Sequence, residues 1–259
     1  MSVIHFAHSN GFTALTYRYF LEQLAPNDVQ YLEKFGHDKR FEPRFSWAPL
    51  TNQLIESIEK QRKPVIGLGH SLGAVVTLNA YYKRPDLFKG LIMMDPPFFG
   101  KKMRLLLLGA RIVGVSGKLV PPAVKAKKRK WEWESKAVVA ESFRNKPLFK
   151  DFHPEAFKDY IEHGLVETEQ GRAKLDFSTK EEYRIFKHTP FSLGSGKIDV
   201  PSFYLYSSRF EIGSAASIEE HKKRFKQTEF IAVDAGHMFP MEQPEKTAQL
   251  VKDLIKRAM

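Results

Sequence analysis

The sequence predicts an α/β protein: a roughly six-stranded parallel sheet with flanking helices, interrupted by a helical insertion. Three observations carry this. Short β-like runs alternate with helical patterns over the first 95 residues and again near the end, the pattern of a parallel sheet built from right-handed crossovers. Between Asp95 and Val200 no convincing strand appears, although a crossover needs only one helix. A chain of 259 residues is also long for one domain and short for two, which fits one core with an insertion. The core is therefore assigned to 1–95 and 196–259, and the insertion to 96–195.

The elements follow in order. "SVIHFAH" (2–8) reads as the first strand, followed by a helix from Ala14 to Leu24 that Pro26 stops. "VQYLEKF" is a weaker strand and "LTNQLIESIEKQ" an amphipathic helix. "PVIGLG" (64–69) is a strand, "LGAVVTLNAYYKR" a helix ended by Pro85, and "GLIMMD" (90–95) another strand. Inside the insertion, "PEAFKDYIEHG" starts at a proline and stops at Gly164, as helices often do. "STKEEYRIF" opens on Ser178 and Glu181, the spacing of a capping box. "VPSFYLYS" (200–207) and "TEFIAV" (228–233) complete the strands, and a final helix runs from Pro244 to Arg257.

An apolar content of 42% with 13% aromatic residues supports a buried core and argues against disorder. The absence of cysteine excludes disulfides, thiolate nucleophiles and thiolate metal sites. "MSVIHFAHSN" lacks the basic start and long apolar part of a signal peptide, so a cytoplasmic protein is expected. The longest apolar stretch, "MRLLLLGARIVGV" (103–115), contains two arginines and falls short of the about 20 apolar residues a bilayer requires. Net charge is +11, and "KAKKRK" (125–130) concentrates five basic residues. A solvated helix face is the simplest account of that run; peripheral contact with an anionic lipid surface, or attraction of an acidic substrate, is the other. No basic-plus-aromatic module accompanies it, so nucleic acid is not an expected partner.

"GLGHSLGAVV" (67–76) sits where a strand meets a helix. Gly67, Gly69 and Gly73 approximate a dinucleotide fingerprint, with Asp95 as the acid of the next strand. That fingerprint belongs to the first strand of its unit, whereas two strands precede this one, and it leaves Ser71 unexplained. Close strand–helix packing is a second account of the glycines. The third is G-x-S-x-G, here Gly69-His70-Ser71-Leu72-Gly73: a serine on a sharp turn, with glycines removing the Cβ clashes two residues to either side. Such a turn lifts a hydroxyl above the sheet edge, at a helix N-terminus that favours developing negative charge.

Two further segments supply context: "FAHSNGF" (6–12) after the first strand and "VDAGHMFPMEQPE" (233–245) after the last. With the elbow and the helical insertion, in this order along nearly the whole chain, they make the sequence resemble the α/β-hydrolase superfamily, specifically its capped, single-domain serine esterases. The resemblance implies Ser71 as nucleophile, His237 as general base, and the backbone N–H groups of Leu72 and Asn10 as oxyanion hole. Ser9 stands where the family usually has glycine after His8, which leaves Gly11 as the other candidate for the second donor. The chain opens at the strand before His8, so an all-parallel sheet of six strands is expected.

The remaining member, the acid, is open between Asp95 at the end of "GLIMMD" and Glu211 in "YLYSSRFEIGS"; Asp95 is placed first. His70 is expected to pack or support, because neighbours on a turn point apart. His5 and His8 are three apart on a strand, hence on opposite faces and no metal pair. Phe98, Phe99 and "MRLLLL" are candidates for an acyl pocket, with cap core as the other account. Met238, Phe239 and Met241 are expected to pack beside the base. The resemblance thus implies hydrolysis of an ester with an apolar acyl or aryl group through an acyl-enzyme, without metal or organic cofactor. Thioester or C–C bond hydrolysis on the same site, and a non-catalytic small-molecule binder of this fold, are the alternatives.

Overall fold

The computed structural model describes residues 2–112, 120–190 and 196–259. Its strands are Val3–Ala7 (β1), Asp28–Tyr31 (β2), Val65–His70 (β3), Phe88–Met94 (β4), Glu132–Trp133 (β5), Leu165–Glu167 (β6), Ala173–Leu175 (β7), Ser202–Ser207 (β8) and Glu229–Val233 (β9). Its helices are Arg18–Glu22 (α1), Ala48–Glu59 (α2), Leu72–Lys83 (α3), Lys101–Ile112 (α4), Pro121–Lys128 (α5), Lys136–Arg144 (α6), Pro154–His163 (α7), Thr179–Lys187 (α8), Ala215–Arg224 (α9), Phe239–Glu242 (α10) and Pro244–Arg257 (α11). Six strands form one sheet in the order β2-β1-β3-β4-β8-β9, every neighbouring pair parallel. This is the α/β-hydrolase architecture expected from the sequence.

The sequence of each strand reflects its place. β1 and β3 are buried along their whole length and β4 at all but one residue, as strands covered on both faces must be. The edge strands β2 and β9 consist of exposed and half-buried residues. Two apolar clusters lie on opposite faces of the sheet. One joins Leu54 of α2, Val75 of α3 and Ile218 of α9; the other joins Phe20 of α1 and Val251 and Leu254 of α11 with Phe143 and Tyr160 of the segment after β4. The order reverses between β1 and β3: the chain runs outward from β1 to β2, then returns to β3 and continues the other way. In open parallel sheets, ligands collect outside the carboxyl ends of the strands at such a switch point. The loops after β1 and β3 border it.

Three local readings change. The expected helix from Ala14 to Leu24 is a 3₁₀ turn, Ala14–Tyr17, followed by the five residues of α1. The segment expected to lack strands contains a three-stranded antiparallel sheet, β5-β7-β6. Ser178 stands at the N-cap position of α8, but its side chain makes no capping hydrogen bond and no capping box closes. The Ser178 N–H that Glu181 would have to accept already donates to His37 Nε2 at 3.0 Å, and Glu181 takes Arg184 instead, at 2.8 Å. The end of "MRLLLLGARIVGV" lies outside the described residues. No helix among the described residues is long and apolar enough to cross a membrane.

Candidate active site

Ser71 stands between β3 and α3 with φ 54° and ψ −117°, a backbone conformation that side chains other than hydrogen rarely accept. The neighbouring glycines make that turn fit. A Cβ on Gly69 would stand 2.5 Å from Ala74 Cα, and one on Gly73 would overlap the carbonyl oxygen of Ala7. The packing account and the nucleophile-perch account of these glycines are thus the same requirement: α3 sits against β1 and β3 closely enough to turn the chain at Ser71. The Ser71 N–H donates to Met94 O at 2.8 Å, tying the turn to β4. Leu72, next along, is the first residue of α3, where helix geometry leaves the amide without an intrahelical acceptor.

Asp95 follows β4 directly, also in the left-handed region at φ 42°. Its N–H donates to Leu205 O at 2.7 Å, its Oδ1 accepts the Ser207 N–H at 3.1 Å, and its Oδ2 meets His237 Nδ1 at 2.6 Å. A carboxylate only accepts, so a proton resides on Nδ1, and in the neutral ring Nε2 then carries a lone pair. Glu211 is not on the ring. It accepts the backbone N–H of His237, while Glu242 accepts that of Gly236 at 2.8 Å. The two candidate acids therefore do different things: one orients the imidazole, the other pins the loop that carries it.

His70 supports the same loop from the opposite side. Its Nε2 lies 2.9 Å from the His237 carbonyl and its Nδ1 2.7 Å from the Tyr17 hydroxyl, which in turn lies 2.8 Å from Ser9 Oγ. Because the carbonyl can only accept, the direction is fixed: Ser9 donates to Tyr17, Tyr17 to His70, and His70 to His237. Burial, then the neighbouring His237, hold the His70 pKa well below the ordinary value, which keeps the ring neutral as this arrangement requires. His8 is neutral for the same reason, burial lowering its pKa to about 4, and it donates from Nδ1 to Ser9 O while accepting the Phe35 N–H. His5 and His8 have separate partners, Ser57 for the one and the Ser9 and Phe35 backbone for the other, as expected for opposite faces.

Ser71, Leu72, Asn10 and His237 line one cavity of about 550 Å³. Its walls are mostly apolar, including Phe12, Trp47 and Met238 from the core and Phe99, Leu106 and Val120 from the segment after β4. Phe98 does not join them, which corrects the expectation that both phenylalanines face substrate. Its ring is buried against Tyr204, His221 and Phe225. Of "MRLLLL", Leu106 lines the cavity and Leu105 is exposed; the Met103 and Leu107 side chains lie outside the described residues. Phe239 and Met241 are fully buried, and Met238 is both buried and at the cavity wall.

The polar part of the wall was not foreseen. Arg129, the fifth residue of the basic run, turns inward. It donates to both Glu182 oxygens at 3.2 and 3.1 Å and to the Tyr160 hydroxyl at 2.9 Å. Burial raises the Glu182 pKa and Arg129 opposes that shift. Glu182 in turn grips the loop after β1: its carbonyl accepts from Asn10 Nδ2 at 3.1 Å, and a Cβ on Gly11, at φ +80°, would crowd its carboxylate at 3.0 Å. Trp47 Nε1 donates to Ile185 O at 2.8 Å, docking α8 from the other side. Nothing in the run 125–130 distinguishes Arg129 from its lysine neighbours, and Glu182 lies 53 positions away.

A sequence model of the alpha/beta hydrolase family matches residues 6–250. The chain belongs to the alpha/beta hydrolase family. Among curated proteins, this alpha/beta hydrolase is 22% identical over 238 residues to the abhydrolase domain-containing protein ACTT2-1 of Alternaria alternata, covering 76% of this chain and 84% of that one. It is 26% identical over 246 residues to the pig 1-acylglycerol-3-phosphate O-acyltransferase ABHD5, covering 85% of this chain and 67% of the relative. Among solved structures it resembles E-2-(acetamidomethylene)succinate hydrolase, with a TM-score of 0.76 at 17% identity over 98% of this chain and 91% of the other.

Proposed function

We propose that this alpha/beta hydrolase is a serine hydrolase that cleaves carboxylic esters of an apolar acyl or aryl group. The observation that carries the reading is the 2.6 Å hydrogen bond from His237 Nδ1 to Asp95, made by an imidazole that lines the same cavity as Ser71 on its strained turn. Ser71 Oγ attacks the ester carbonyl carbon and His237 Nε2 takes the hydroxyl proton. The tetrahedral oxyanion accepts from the Leu72 and Asn10 backbone amides. As the carbon–oxygen bond of the leaving group breaks, Nε2 returns the proton to the departing alcohol. Water, deprotonated by the same nitrogen, then releases the acid from the acyl-enzyme. Asp95 keeps the proton on Nδ1 and stabilises the imidazolium that forms.

In this reading, residues 96–195 act as a cap that sets the acyl pocket, and the mostly apolar wall favours an apolar substrate because burying such surface is worth about 25 cal/mol per Å². The test is a fluorophosphonate probe followed by peptide mass mapping. It is expected to modify Ser71 and no other serine, since only a hydroxyl beside a base and an oxyanion hole reacts readily. An adduct elsewhere, or none, ends the proposal.

Substrate length is read out at two adjacent residues. Phe99→Ala is expected to change the ratio of kcat/KM for long against short acyl esters by about tenfold, the scale of a lost methylene contact in an apolar pocket. Phe98→Ala is expected to leave that ratio alone and to lower stability by about 3–5 kcal/mol, because it empties a buried site. Esters of graded length and thermal unfolding of both variants separate the two roles; equal effects on the ratio would remove Phe99 from the pocket.

A further inference from the structure

Helix α4 carries exposed apolar side chains. Leu105 and Ile112 are seven residues apart, hence on one side of the helix, and are 59% and 76% exposed. Leu106 beside them is 58% exposed and also lines the cavity, so the ridge reaches the cavity mouth. A helix on the surface of a globular protein normally turns its polar side to water. Leu106 and Ala110 of α4 share that cavity's lining with Pro121 and Pro122 at the start of α5, and Lys125, Lys127 and Lys128 of α5 are exposed. Among the described residues, no carboxylate pairs with these three lysines; Lys127 stands over the Tyr183 ring. Arg104, on another side of α4, is neutralised by Glu220 at 3.1 Å.

Exposed leucine and isoleucine on one helix and unpaired lysines on another, the two bordering one cavity, suit a rim that lies in a bilayer interface, apolar side chains among acyl chains and cations at anionic headgroups. A nucleic acid would use the lysines and leave the ridge exposed. A second copy of this chain, with its net charge of +11, would bring more positive charge to the same place. We propose that the rim formed by α4 and α5 docks on an anionic lipid bilayer, and that the cavity draws its ester from that surface, acyl chain first, past Leu106. The docking stands on the surface alone; the ester supply rests on the proposed hydrolase reading.

The test is sedimentation of the full chain with vesicles of phosphatidylcholine, with and without phosphatidylserine. The chain is expected to bind the anionic vesicles, to ignore the neutral ones and to be released by salt. The paired variant Lys125→Glu with Lys128→Glu is expected to weaken binding at least 25-fold, since each lysine near such a surface contributes about fivefold. Leu105→Asp with Ile112→Asp is expected to abolish it. None of these four side chains lines the cavity, so hydrolysis of a water-soluble ester should be unchanged, which also reports that the variants fold. Failure of the chain to bind anionic vesicles, or equal binding by the variants, overturns the docking. Dissociation of a wild-type dimer by Leu105→Asp with Ile112→Asp, without effect on vesicles, also overturns it by making the ridge a self-interface. Docking without faster hydrolysis of a vesicle-borne ester, while the soluble ester is turned over, overturns the supply and spares the docking. Sedimentation needs no turnover, so it reads independently of Ser71 chemistry.

Discussion

Asp95→Asn is expected to lower kcat by a factor on the order of 10⁴, with little change in the folding transition. The aspartate accepts from Ser207 N–H with one oxygen and from His237 Nδ1 with the other. Asparagine has the same shape and also tolerates the left-handed backbone that this position requires, φ 42°. What it lacks is the second acceptor. With its carbonyl oxygen kept on Ser207, its amide group faces Nδ1 and donates to it, so the imidazole proton is driven to Nε2. The nitrogen that receives the Ser71 proton in the proposed mechanism is then occupied.

Glu211→Gln separates this from a general effect of removing charge near the loop. Glu211 accepts the His237 backbone N–H, and the glutamine carbonyl oxygen can do the same. The expected loss is within about tenfold. The measurement is kcat/KM on one ester for both variants, with circular dichroism to verify folding. A larger loss for Glu211→Gln than for Asp95→Asn would transfer the role of acid to Glu211 and leave Ser71 and His237 as they are.

The carboxylate partner of His237 Nδ1 illustrates where the sequence stops being legible. The central sheet strands could be read because each is a compact apolar run between turn residues, the edge strand β2 less clearly because it is half polar, and Ser71 because glycines must flank so tight a turn. Asp95 and His237 are 142 positions apart, and their meeting depends on how the loop after β9 folds back over β4. Spacing along the chain carries nothing about that, so Glu211, which the fold also brings to His237, stands as a second candidate behind Asp95. The small sheet was invisible for another reason. β5, β6 and β7 are two or three residues long and β6 and β7 are partly exposed, too short to show alternation. Phe98 and Phe99 are consecutive, and outside a regular element no periodicity says which one turns inward. In the basic run, electrostatics favoured five solvated cations, whereas Arg129 is held inside by Glu182 and Tyr160, partners supplied by distant parts of the chain.

Stability is expected to fall steeply as the pH drops from 6.5 toward 4, through buried histidines that share a core with the site. Burial lowers the pKa of His5, His8 and His221 to about 4 each, and all three are at most 1% exposed. In the unfolded chain each titrates at about 6.5. Between those values the unfolded state binds more protons than the folded one, so stability rises with pH there, is complete above 6.5 and is lost on acidification. A shift of that size corresponds to on the order of 3 kcal/mol per group, so three together reach the scale of a whole domain's stability, about 5–15 kcal/mol. Buried carboxylates act in the opposite direction. Burial raises the pKa of Glu182, Glu181 and Asp159, so their neutral forms are gained on folding as the pH falls. Glu182 and Asp159, however, sit against Arg129 and Arg18, which limits that gain. His8 shows why the histidine side dominates: a proton on its Nε2 would point at the Phe35 N–H that now donates to it, turning a hydrogen bond into a repulsion within the loop after β1. Thermal unfolding followed by circular dichroism from pH 7.5 to pH 4.5 is the measurement. A Tm that stays flat over that range would mean that these histidines take up their protons in the folded state without penalty, and would overturn the assignment of a neutral, directional imidazole to His8.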